Sequence, residues 1–296
     1  MLAASGLRCA VLGKPVAHSL SPVLHRAAYD ALGLDWSYDA IEVDESGLGP
    51  FLDGLDESWR GLSLTMPLKR RLMELLGPAD EVDRWAPLAG AANTLVLGGA
   101  RPATAQQRGA RLAANTDVPG AAAAMRTIAA ARHAIVLGGG ATAGSALLAL
   151  AELGCLSATV LARSPDRAAS AAAAARRHPA GMRVEVLPLV DDDPLALTGL
   201  GGSAPDLVVS TIPATAQGAP LVAGLSEVPA VFDVVYAPWP TPLAKAALDS
   251  GRVLVSGLDL LVEQAALQVG LMTGTTHVPV AAMREAGEKA LAAPRE

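Results

Sequence analysis

The chain has 296 residues and a mass of 30.0 kDa, room for about two domains of roughly 150 residues each. Hydrophobic residues make up 51% and aromatic residues 3%, and 23 Lys and Arg stand against 29 Asp and Glu for a formal charge of -6. That balance offers no basic footprint for nucleic acid or an anionic membrane surface and few rings on which bases could stack, so the expected partner is a small molecule.

In chain order, residues 9–12 read as a first strand and 22–32 as a helix, followed by strands at 37–43 and 61–64 and a helix at 67–76. Residues 93–97 and 110–114 read as a hairpin around Gly98-Gly99. From Val118 the rhythm changes: helix to Ala131, strand 134–137, a glycine turn, helix to Leu153, strand 158–162 and helix 165–177. The alanine run from Ala171 fits an ordinary helix, alanine being the strongest helix former. Further strands are expected at 183–187, 207–210, 231–235 and 252–256, with a flexible Asp-, Gly- and Pro-rich stretch at 191–205 and closing helices over 258–291. Short apolar runs alternating with helical stretches predict an α/β fold built mainly on parallel sheet.

Residues 134–151 carry no charge over 18 positions, but Gly138, Gly139, Gly140 and Gly144 divide them into strand, turn and helix rather than a membrane span. Cys9 and Cys155 lie in or beside apolar runs, away from any CxxC or histidine at ligand spacing, so neither a metal site nor a disulfide framework is expected. The N-terminus lacks a basic stretch followed by an apolar one, which makes a reducing cytoplasm the expected location.

The segment Gly138-Gly139-Gly140-Ala141-Thr142-Ala143 leaves a strand and opens a helix in the GxGxxA pattern of dinucleotide sites. The first glycine of the pattern permits the tight turn, the second lets backbone approach a pyrophosphate, and the small last residue allows close helix–strand contact. The free N–H groups of the helix would bind the anion. The next strand ends at Ala162-Arg163-Ser164, where NAD enzymes keep a carboxylate for the ribose 2′-hydroxyl. Arg163, Ser164 and Arg167 suit a 2′-phosphate instead, which favours NADP, although Asp166 between the arginines opposes it and both could be solvated residues of a helix start.

In the first half, Ser21 reads as an N-cap with Pro22 at the first helical position, and Ser19 points to the same side of the extended chain, a cradle for a carboxylate. Pro67 marks another helix start and places Lys69 in the first turn, against the helix dipole, a placement that suits a proton donor but that ordinary surface lysines also adopt. Asp117 precedes the next helix, either as a simple N-cap or as the carboxylate that orients Lys69.

Seven motifs together carry a family resemblance: Gly13-x-Pro15-x-x-His18-Ser19-x-Ser21-Pro22-x-x-His25, Thr65-x-Pro67-x-Lys69, Gly90-Ala91-Ala92-Asn93-Thr94, Asn115-Thr116-Asp117, the glycine turn, Asp233-x-x-Tyr236-x-Pro238-x-x-Thr241-Pro242-Leu243, and Gly257-x-x-x-Leu261-x-x-Gln264-Ala265. In this the chain resembles the shikimate/quinate dehydrogenase family over nearly its whole length. The resemblance implies a substrate domain of residues 1–117 completed by helices in 258–296, a Rossmann-type doubly wound NADP domain of residues 118–257, and an active site in the cleft. It implies Lys69 and Asp117 as the catalytic pair, Ser19, Ser21 and Tyr236 on the substrate carboxylate, and Thr65, Asn93 and Gln264 on ring hydroxyls. Gly257 would offer its carbonyl to the nicotinamide amide. The implied reaction is the NADP-linked interconversion of 3-dehydroshikimate and shikimate by a cytoplasmic monomer or homodimer without a metal.

Departures from the family pattern are Ser63 for an asparagine, Ala113 for a glycine, Gly144 for an arginine, Ala162 and Ser164 in the Asn-Arg-Thr motif, and Ser210-Thr211-Ile212-Pro213 for Asn-Ala-Thr-Pro. The cofactor-side changes keep an NAD-linked quinate or aminoshikimate-type dehydrogenase in view. A non-catalytic metabolite sensor is the alternative of another class, which Lys69 and Asp117 oppose.

Overall fold

The computed structural model describes residues 6–98, 111–128, 131–189 and 204–293, without the side chain of Arg167. The chain forms two compact units, Met1–Thr116 with Leu261–Glu296 and Asp117–Leu260.

The first unit contains β1 (Arg8–Gly13), α1 (Ser21–Leu32), β2 (Ser37–Glu42), α2 (Glu45–Asp53), β3 (Trp59–Leu64), α3 (Leu68–Glu74), β4 (Glu81–Val82), α4 (Trp85–Ala89), β5 (Thr94–Leu97) and β6 (Arg111–Ala114). They form a six-stranded sheet in the order β2-β1-β3-β5-β6-β4. β1 pairs in parallel with β2 and β3, whereas β5 runs antiparallel to both β3 and β6, so the expected hairpin pairing is present, Thr94 opposite Ala114 and Leu97 opposite Arg111. Gly98 ends the first arm at φ 78°, and Gly99 lies outside the described residues. One core packs Leu12, Leu62 and Leu95 of three strands against Leu68 and Leu72 of α3 and Leu48 of α2, all at 0% exposure. The two-residue β4 and the short helices α2 and α4 have too few residues to establish a periodicity and are additions to the sequence reading.

The second unit runs α5 (Asp117–Met125), β7 (His133–Leu137), α6 (Ala141–Glu152), β8 (Ser157–Ala162), α7 (Pro165–Arg176), β9 (Arg183–Pro188), β10 (Leu207–Ser210), α8 (Ala219–Gly224), β11 (Ala230–Asp233), α9 (Pro242–Asp249), β12 (Val253–Val255) and the start of α10 (Gly257–Thr273). Its six strands are all parallel in the order β12-β11-β10-β7-β8-β9. This is the doubly wound arrangement in which the strand order reverses between β7 and β10, the place where such sheets bind ligands. The uncharged stretch 134–151 divides into β7, the glycine turn and α6. Every residue of α6 from Ala143 to Ala151 is buried, because α5 and α7 flank it, so it shows no amphipathic period. Most of the stretch expected to be flexible, 191–203, lies outside the described residues. The rest of α10 and a last helix, α11 (Val280–Ala292), belong to the first unit, where α11 packs against α1. Among the described residues no helix is long and apolar enough to cross a membrane.

Candidate active site

In the first unit the expected substrate residues lie where β1, β3 and β6 end and the antiparallel β5 begins. The Thr65 N–H donates to the Leu12 carbonyl at 2.9 Å, and a Cβ on Gly13 would fall within 3.0 Å of the Thr65 side chain, so Gly13 lets the two strand ends close together. Lys69 follows on the first turn of α3, half-buried, and its carbonyl accepts from the Ala92 N–H at 2.9 Å. That bond ties the lysine's turn to the residue before Asn93. The Asn93 carbonyl accepts from Leu64 at 2.8 Å and its N–H donates to Ala114 at 3.0 Å, which seats Asn93 between β3 and β6.

One expectation needs correction. Ser21 is not the N-cap of α1: the helix begins at Ser21 and its cap position is Leu20, which has helical φ and ψ of -82° and -6° and makes no side-chain cap bond. Ser19 takes over instead, its Oγ accepting from the Ser21 N–H at 3.2 Å. The helix therefore starts one residue earlier than the Ser-Pro signal indicates, and Ser21 lies within its first turn, buried at 5% exposure.

Asn115 is held by the half-buried Asp83 and a main-chain carbonyl, and Thr116 by the buried Asn93. Asn115 Nδ2 donates to the Ala91 carbonyl at 2.8 Å, and its main-chain N–H donates to Asp83 Oδ2 at 3.2 Å. The other Asp83 oxygen accepts from the N–H groups of Trp85 and Ala86, capping α4, while burial raises its pKa. Thr116 donates its N–H to Asn93 Oδ1 at 2.8 Å. Asp117 follows directly and is the first residue of α5, not its cap. Asp83 carries no distinctive signal in the sequence, because an Asp two residues before a short helix is a common cap; its second role, on Asn115, depends on the parallel pairing of β4 with β6.

In the second unit two glycines of the turn answer steric demands and the third stands open at the start of α6. Gly138 has φ 105°, and a Cβ there would fall within 3.0 Å of Thr211 Oγ1 at the end of β10. A Cβ on Gly139 would lie 2.5 Å from that of Ala168, so this glycine seats the turn against α7. Gly140 is the cap position of α6 without a side-chain cap bond, and a Cβ there would meet nothing within 4 Å. The first-turn N–H groups beyond it, at exposed Ala141 and half-buried Thr142, are thus open to an anion, and Ala143 is buried. These features fit a dinucleotide pyrophosphate. Arg163 is exposed after β8, and Ser164 is the cap residue of α7 but makes no side-chain cap bond. The Arg167 side chain lies outside the described residues.

Tyr236 and Gly257 also belong to this unit. The loop that carries Tyr236 is fixed by Asp233, which is 0% exposed and accepts from Thr241 Oγ1 at 2.7 Å, Gln217 Nε2 at 2.9 Å and the Val235 N–H at 3.1 Å. Burial raises its pKa. Thr241 in turn caps α9 through the Ala244 N–H. A Cβ on Gly257 would fall within 3.0 Å of the Val234 and Val235 backbone, so only glycine allows α10 to start there. The spacing of Asp233 and Thr241 was visible in the motif, but Gln217 carried no local signal.

Known proteins bear the same pattern. A family profile for the shikimate dehydrogenase substrate binding domain matches residues 11–95, and one for the shikimate 5′-dehydrogenase C-terminal domain matches residues 257–286. A shikimate dehydrogenase (NADP(+)) of Thermus thermophilus is 34% identical, covering 96% of this chain and 99% of its own. The crystal structure of Mycobacterium tuberculosis shikimate dehydrogenase superposes with a TM-score of 0.82 at 38% identity, over 96% of this chain and 99% of that one. A shikimate 5-dehydrogenase of Thermus thermophilus, solved with NADP(H) and shikimate, gives a TM-score of 0.74 at 30% identity over the same shares. Likeness at this level along almost the entire length, on two units whose strand-end residues are those of the motifs, means that the chain belongs to the shikimate dehydrogenase family.

Proposed function

We propose that this protein is an NADP-dependent shikimate 5-dehydrogenase, reversibly reducing 3-dehydroshikimate to shikimate in the biosynthesis of aromatic amino acids. The observation that carries this reading is the end-to-end likeness to a chain solved with both NADP(H) and shikimate. Bound NADPH supplies the hydride, and the protein supplies orientation and the proton.

Lys69 donates a proton from Nζ to the carbonyl oxygen of the substrate during reduction and takes one back in the reverse direction, with Asp117 orienting the ammonium. Ser19, Ser21 and Tyr236 hold the substrate carboxylate, and Thr65, Asn93 and Gln264 take ring hydroxyls. On the cofactor side, the α6 N-terminus after Gly140 binds the pyrophosphate, Arg163, Ser164 and Arg167 bind the 2′-phosphate, and the Gly257 carbonyl receives the nicotinamide amide. The two cysteines are buried and free, which suits a reducing cytoplasm.

The test is steady-state turnover of the purified protein with shikimate or quinate and with NADP+ or NAD+. Shikimate with NADP+ is expected to exceed every other pair by at least about 10-fold in kcat/KM, about 1.4 kcal/mol. Preference for quinate with NAD+ would replace this reading with the catabolic one, and binding without turnover would make the protein a sensor.

A further inference from the structure

Beneath the strand ends of the first unit runs a chain of buried side-chain hydrogen bonds whose donor direction is dictated by the main chain. At its centre is Gln268 on α10, 1% exposed. Its Nε2 lies 3.1 Å from Thr94 Oγ1 and 3.4 Å from the Asn93 main-chain carbonyl, and its Oε1 lies 2.9 Å from Ser63 Oγ. A carbonyl can only accept, so the amide nitrogen must face Asn93 and the amide oxygen must accept from Ser63. Ser63 has then given its one proton, and its oxygen accepts from the Tyr38 phenol at 2.6 Å.

The same logic runs the other way. Thr94 accepts from Gln268 and so donates to Asn93 Oδ1, at 2.9 Å. The Thr116 main-chain N–H, which can only donate, reaches the same oxygen at 2.8 Å and fixes the Asn93 amide in one orientation. Asn93 Nδ2 then donates to Thr116 Oγ1 at 2.9 Å and faces Gln264 Oε1 at 3.4 Å. Gln264 therefore turns its oxygen inward, while its Nε2 gives one of two protons to the Leu261 carbonyl at 3.0 Å.

We propose that Gln268 is a positioning residue: by holding Thr94 as a second donor to Asn93, beside the Thr116 N–H, it tightens the Asn93–Gln264 amide pair so that Gln264 presents an N–H donor to a ring hydroxyl of the substrate. This rests on the shikimate reading for the ligand, and on hydrogen bonding alone for the chain. Gln268 touches neither substrate nor cofactor in this scheme. Its effect passes through the Thr94 hydroxyl and the Asn93 amide, each able to point only one way.

Two substitutions separate polarity from packing. Gln268→Leu removes the bonds, and Gln268→Glu keeps the shape but accepts from both Ser63 and Thr94, drawing the Thr94 proton away from Asn93. Met272→Ala, in the same helix and 0% exposed, is the structural control. Expected in both Gln268 variants is a rise of at least about 10-fold in KM for shikimate, with KM for NADP+ held within about 2-fold, and a smaller rise in Met272→Ala even where its loss of Tm is equal. An unchanged shikimate KM in Gln268→Glu, or an equal rise in Met272→Ala, would overturn the proposal.

A second measurement needs no substrate. Hydrogen exchange of the Asn93 side-chain amide, followed by NMR of the full chain, should speed up at least about 10-fold in Gln268→Leu. If the unmodified protein fails to oxidise shikimate, the functional reading falls and this exchange still decides the chain: unchanged exchange refutes it, and faster exchange leaves the amide lock standing for another hydroxylated ligand.

Discussion

Acid should unfold this protein partly through His25. The ring is 0% exposed on α1 and stacks on Tyr38 with centroids 3.9 Å apart. Its Nδ1 lies 2.9 Å from the Ser21 main-chain carbonyl, which only accepts, so Nδ1 carries the proton of the neutral ring. Nε2 is buried with no hydrogen-bond partner among the described residues, and burial lowers the pKa from 6.5 to about 4. Between those values the unfolded chain binds a proton that the folded protein refuses. The stabilising contribution is thus fully present above pH 6.5 and is lost as the pH falls towards 4. A gap from 6.5 to about 4 is worth about 3 kcal/mol, an order-of-magnitude figure. His25→Phe keeps a ring against Tyr38 and removes the titration. Urea unfolding of both proteins at several pH values across this window cancels the carboxylates they share, and the wild-type advantage over the variant should shrink by about 3 kcal/mol on acidification. Parallel stability profiles would show that His25 is not held neutral by burial and would refute the argument.

Three further outcomes are expected. Lys69→Ala should lower kcat by at least about 10²-fold with a much smaller change in substrate affinity, and a variant that keeps most of its kcat would remove Lys69 from proton transfer. Arg163→Asp should erase or invert the preference for NADP+ over NAD+, because a carboxylate repels a 2′-phosphate and accepts from a 2′-hydroxyl; kcat/KM for each cofactor at saturating shikimate decides it. Gly257→Ala should cost about 1–3 kcal/mol or more and lower Tm by several degrees, since the added methyl meets Val234 and Val235 backbone that no rotamer change can move aside; an unshifted melting curve would contradict the packing.

The α/β class, the order of the strands along the chain and most motif residues were legible in the sequence, because buried parallel strands are short apolar runs and glycine turns punctuate them. Strand 207–210 was read to the residue, and β7, β8 and β9 to within one. The motif positions could be read because their chemistry is local: a proline at a helix start, a glycine at a strand end, a serine two residues from another.

What only the tertiary structure decided is where pairing is non-local. Gln268, Ser63 and Tyr38 come from a late helix and two early strands, and no window of sequence joins them. Asp83 reaches Asn115 only because β4 lies beside β6, and Gln217 reaches Asp233 across 16 positions. The alanines of α7 read as helix propensity alone, yet Ala168 and Ala171 are small because Gly139 and Gly144 pack against them. Even the start of α1 was settled in this way: Ser21 has the composition of a cap, but it is buried inside the first turn and its N–H is taken by Ser19. Local propensity fixes which elements form, whereas a buried polar group takes the partner that the packed chain brings within reach, because leaving it unpaired costs more than a local preference can return.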